Sequence, residues 1–155
     1  MRHALTITVL VAVVAATTTA RADSAALDKL ETHLYYHQTG TVDDREASGL
    51  SLWNTIIGEG EAQGPSGSVV VRVTVTGAEG LPKGAVEVVA TAGKKKVFKQ
   101  RVSLDDFVAE KGKPVVVPFL IYGTGCDSIA VAATLYDGKR TVSAKKSVLP
   151  FSCGE

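Results

Sequence analysis

Histidine is scarce in this 155-residue chain: there are three, and one of them stands at position 3. A serine nucleophile would have only His33 or His37 to serve as its base. No H-E-x-x-H motif is present either, because in ETHLYYH the acid Glu31 precedes His33. An excess of either charge is lacking as well. Lys and Arg number 17 against 16 Asp and Glu, a balance that gives no general attraction to nucleic acid or to an anionic membrane. Glycine-rich phosphate loops are missing: YGTGC, at positions 122–126, is followed by neither a third glycine nor a helix. GPSGS, at 64–68, lacks the closing glycine of a nucleophile elbow. Internal repeats, heptads and low-complexity tracts are absent too. These gaps argue against catalysis and leave a binding role as the expectation.

The leader is informative. Arg2 and His3 form a basic head, Leu5–Ala16 is apolar apart from threonines, and Ala20-Arg21-Ala22 has the small-x-small pattern that signal peptidase accepts. The apolar run falls short of the ~20 residues a membrane span needs. Residues 1–22 therefore read as a cleaved signal peptide, no anchor remains afterwards, and the protein is expected to be secreted or periplasmic. Loss of Arg2 and Arg21 leaves 15 basic residues against 16 acidic. The only cysteines, Cys126 and Cys153, then face an oxidising compartment and are expected to pair. With 26 residues enclosed, chain entropy alone assigns that bond about 3.5 kcal/mol.

Residues 23–49 suggest a short N-terminal α-helix packed on the main domain. Leu27, Leu30 and Leu34 recur at helical spacing, Ser24 can cap the start, Asp28 lies near the positive end of the dipole, and Gly40 supplies a stop. From Leu50 the period changes to two. SVVVRVTVT places Val69, Val71, Val73 and Val75 on one face and Arg72, Thr74 and Thr76 on the other. AVEVVATA, VFKQRVSL, KPVVVPFLIYG, SIAVAATLY and KRTVSAKKSVL follow, the last two joined by Asp137-Gly138 in what reads as a type I′ hairpin turn. Pro118 inside its run demands an edge strand or a bulge. LSLWNTII, apolar on both faces, reads as a further strand covered on one side by the N-terminal helix near Trp53. About seven strands with no later helix predict an antiparallel two-sheet β-sandwich over 50–155, immunoglobulin-like in architecture only. That architecture by itself implies no function.

The candidate site residues are few. Trp53, Tyr35 and Tyr36 offer an aromatic contact surface for a protein or a glycan, Tyr36 foremost because it falls opposite the leucine stripe on a helical wheel. Lys94, Lys95 and Lys96, with Lys99 and Arg101 beyond, form the strongest charge run. They suit contact with an acidic partner or an anionic glycan, or simply the guarding of a strand edge. His33 and His37, four apart on a helix, point the same way and offer two ligands to a transition metal, short of the four that a structural zinc site takes. Glu59 and Glu61, flanked by glycines, provide too few oxygens for calcium. No cofactor is expected.

Overall fold

The computed structural model describes residues 25–77, 84–108, 110 and 112–154; the expected signal peptide lies outside them. The protein is mainly β, with eight strands among the described residues: β1 (Ala26–Tyr36), β2 (Thr41–Val42), β3 (Ser68–Thr76), β4 (Gly84–Ala92), β5 (Lys95–Ser103), β6 (Val115–Tyr122), β7 (Ile129–Asp137) and β8 (Arg140–Leu149). They form two antiparallel four-stranded sheets, ordered β2-β1-β3-β6 and β5-β4-β7-β8. Between the sheets lies one core. The valines of β3 interdigitate there with Val86, Val88 and Ala90 of β4, Val117, Phe119 and Ile121 of β6, and Ile129, Val131, Ala133 and Leu135 of β7. Alternation with a period of two is what carries these side chains inward.

The N-terminal helix is not there. Residues 26–36 are the eleven-residue strand β1, paired along most of its length with β3. Leu27 lies opposite Val75 and Leu30 opposite Val73, so three residues of β1 span two of β3, with a bulge between Leu27 and Lys29. A bulge inserts one extra residue. It converts the odd spacing of Leu27 to Leu30 into same-face spacing, and the even step to Leu34 follows naturally. Leu27 and Leu34 are buried as an integral part of the sandwich, and the separate helical segment 23–49 gives way to a strand and its turn.

LSLWNTII is not a strand either. Leu52 is buried, but Trp53 makes a single parallel bridge to Ser152, and Asn54 turns the chain through a left-handed conformation (φ 47°) into a 3-10 turn, Thr55–Ile57. Asn tolerates that conformation better than most residues.

The other strands fall where their alternation places them, and Pro118 lies in β6, an edge strand. Register pairs Pro118 with Arg72; having no N–H, it can sit only where its nitrogen faces away from β3. The last hairpin closes one residue later than expected. Asp137 pairs with Arg140, the loop is Gly138-Lys139, and only its first residue has positive φ (58°). That is the type II′ pattern rather than I′. Gly93-Lys94 closes β4–β5 in the same way, with Gly93 at φ 55°.

Candidate functional site

One end of the sandwich collects most of the irregular chain among the described residues. The β1–β2 turn, the loop 43–67, the β4–β5 turn, the loop 123–128 and the tail 150–154 meet there. Cys126 and Cys153 are bonded across it, Cα to Cα 5.1 Å, both exposed at the surface. Backbone bonds add to the clasp: Ser152 N–H donates to Leu52 O, Asn54 N–H to Ser152 O, and Thr124 N–H to Gly67 O. Asn54 Oδ1 accepts from Gly154 N–H, while its Nδ2 donates to Glu59 Oε2. Glu61 accepts from Ser51 N–H. The two glycine-flanked acids therefore fasten their own loop.

A buried carboxylate organises this end. Asp43 is 2 % exposed and receives Arg45 Nε at 3.1 Å, Arg45 Nη2 at 2.9 Å, Arg45 N–H at 3.0 Å and the Tyr36 hydroxyl at 2.6 Å. The Arg45 hydrogen bonds, reinforced by Tyr36, outweigh desolvation and hold its carboxyl down at about 2. Tyr36 Oη also accepts from Gln63 N–H, and Arg45 Nη2 donates to Glu61 O. Burial and the Asp43 hydrogen bond push the Tyr36 phenol above its ordinary range. Tyr36, expected at the surface on a helix, is instead 6 % exposed, because on a strand it shares the inward parity of Leu34.

The two histidines have different partners. His33 Nδ1 donates to Asp43 O (3.0 Å) and Arg45 O (3.1 Å), which requires the proton on that nitrogen. His37 Nε2 lies 2.7 Å from Ser68 Oγ. No cluster of three or more His, Cys, Asp or Glu suited to a metal ion occurs among the described residues. Ser68 is 1 % exposed, and among the described residues no carboxylate hydrogen-bonds His37.

His37 belongs to an aromatic cluster on the outer face of the first sheet. Its ring stacks on Tyr122 with centroids 5.6 Å apart, and Tyr35 meets it edge-on at 5.0 Å. Tyr122 is 64 % exposed and Val116 40 %. With exposed Pro118 and half-buried Leu120 they make β6 apolar on its outward side too. Tyr35 belongs to the aromatic surface the sequence suggested, whereas Tyr122 did not stand out, although VVVPFLIY, apolar at nearly every position, was the available signal.

Trp53 is 44 % exposed and lies against Gly154, where an added Cβ would come within 2.7 Å of its ring. Lys94, Lys95 and Lys96 are exposed at the β4–β5 turn. They share the disulfide end, since Ala92 pairs with Ile129 and Ile129 with Leu149. Lys99 is tied to Glu87 at 3.1 Å, and Arg101 lies over the Tyr136 ring at 4.6 Å.

The class that fold and site define is a disulfide-bonded two-sheet β-sandwich with an exposed aromatic face. The sequence matches no protein-family model and no curated protein.

Proposed function

We propose that this protein is a secreted or periplasmic recognition module of immunoglobulin-like design, without catalytic activity, that binds a protein or glycan through the outer face of its first sheet. The observation that carries the reading is the cluster of exposed His37 and Tyr122 with half-buried Tyr35. An antiparallel sheet normally turns polar side chains to water, and large aromatics left there are the residue type that dominates recognition surfaces.

Strand order supports the design. Setting aside the two-residue β2, the first sheet joins the first, second and fifth long strands, and the second joins the remaining four as β5-β4-β7-β8. The seven-stranded constant-type immunoglobulin sandwich has the same division except at its fourth strand, which there joins the first sheet and here, as β5, joins the second. An exposed disulfide suits an oxidising compartment, and no helix of the described residues is long and apolar enough to cross a membrane. The leader 1–22 would direct export.

Photo-crosslinking in the native compartment tests the reading. Benzoylphenylalanine replaces Tyr122 in one variant and Tyr136, on the other sheet, in a second. A discrete adduct formed from position 122 and not from position 136 is the expected result. Equal labelling, or none from 122, removes this face as the binding surface.

A further inference from the structure

The turn 37–40 and the loop 63–65 enclose an open cleft of about 280 Å³, near the lower limit for small-molecule sites, roughly 300 Å³. Its lining includes Tyr36, Gln38, Thr39, Thr41, Gln63 and Pro65. None of these carries a charge at neutral pH. The one ionisable group, Tyr36, has its hydroxyl spent on Asp43 and on Gln63 N–H, and it is held neutral. No ion would be retained there by charge.

What the cleft does offer is neutral hydrogen bonding. Gln38 and Gln63 are exposed, and their side-chain amides have no protein partner among the described residues. Each presents donors and an acceptor together. The Thr39 hydroxyl donates to Tyr36 O at 3.4 Å and accepts from the Thr41 hydroxyl 2.7 Å away, which leaves acceptor capacity free on both. The floor is rigid, because Tyr36 is fixed at both sides of its hydroxyl and Arg45 ties Asp43 to Glu61 O. A preorganised site forfeits less entropy when it binds. His37 of the same turn belongs to the outer-face cluster with Tyr35 and Tyr122, whose rings are not part of the cleft's lining.

Dense neutral donors and acceptors in an uncharged cleft match the chemistry of an uncharged sugar, which carries adjacent hydroxyls on its rim. We infer that this cleft takes one neutral hexose unit of a glycan. The inference rests on the recognition reading above and narrows it from protein or glycan to neutral glycan.

Calorimetric titration of the full chain tests it. The probes are soluble oligosaccharides built from glucose, mannose, galactose or N-acetylglucosamine, together with their sulfated and carboxylated counterparts and a neutral proline-rich peptide. Binding of at least one neutral series is expected. Gln63→Ala and Gln38→Ala should each weaken it about tenfold, the loss of a hydrogen bond or two, with an unchanged melting temperature, and Lys96→Ala should leave affinity as it was. Binding of charged sugars alone, of the peptide alone, of nothing, or undiminished binding by both glutamine variants overturns the inference. A protein adduct from position 122 alongside silent sugars would sink this inference only; no adduct and no sugar binding would sink both.

Discussion

Replacing Asp43 by Asn should lower stability by an amount that depends on pH in a defined direction. In the folded protein this carboxyl titrates at about 2 against an ordinary 3.8, a little under two units and roughly 2.4 kcal/mol of linked stability. Because the folded value is the lower one, that stability is complete above the unfolded value near 4. It is lost as pH falls through about 2. An asparagine cannot accept all four hydrogen bonds, and its amide N–H₂ would confront a donor, so about 3 kcal/mol is expected to go at pH 7. That is near the lower end for breaking a buried pair, since Arg45 is 43 % exposed and regains water. At roughly 3 °C per kcal/mol for a domain of this size, the melting temperature should fall by ~9 °C. Thermal melts of both proteins, followed by circular dichroism between pH 7 and pH 2, provide the assay. The gap should hold from pH 7 to pH 5 and narrow to roughly 1 kcal/mol at pH 2. Parallel profiles with a constant gap would show that Asp43 is not the linked group.

Cys126→Ser combined with Cys153→Ser should lower the unfolding free energy by up to about 3.5 kcal/mol, the value for a loop of this length, and reductant should reproduce the loss in the wild type but not in the variant. Urea titration with and without dithiothreitol measures it; a reductant effect on the double variant would point elsewhere. At Gly84 an added Cβ would come within 1.9 Å of Tyr136 O, whereas at Gly64 it meets nothing within 4 Å. Gly84→Ala should therefore cost several kcal/mol in the urea midpoint, in the range of severe overpacking, while Gly64→Ala stays within about 0.5 kcal/mol. Equal midpoints would refute this packing of β4 on β7.

Strands whose alternation is strict were legible. The inward side chains of β3 and β7 are buried as their period of two demands, and the cysteine pair follows from number and the expected compartment. The first strand misled for a physical reason: a bulge mimics helical spacing, and bulges leave little trace in a single sequence. The stretch from Leu50 to Ile57 misled through composition, because its apolar residues suggested a buried strand while Asn54 and Gly58 (φ 82°) impose a reversal. What decides between these outcomes is tertiary. Ser152 N–H and O take the backbone groups of Leu52 and Asn54, a partner a hundred residues away. The candidate site was the least legible part. Asp43 and Arg45 acquire their partners only when the chain after β2 folds them over Tyr36. Tyr35 and Tyr122 face the same way only because β1 and β6 flank β3 in register.

The two sheets differ in how the chain must search for them. Two-residue turns close both hairpins of the second sheet, β4–β5 and β7–β8, whereas β1 reaches β3 only across residues 37–67, and β3 reaches β6 only across 77–114. Tight hairpins form within microseconds, while distant pairings must first overcome the entropy of long loop closure. The second sheet should therefore nucleate folding and the first should assemble on it late. In stopped-flow refolding, substitutions in β7–β8 would then slow the rate while those in β1 chiefly speed unfolding; the reverse pattern would place the nucleus in the sheet that carries the recognition face.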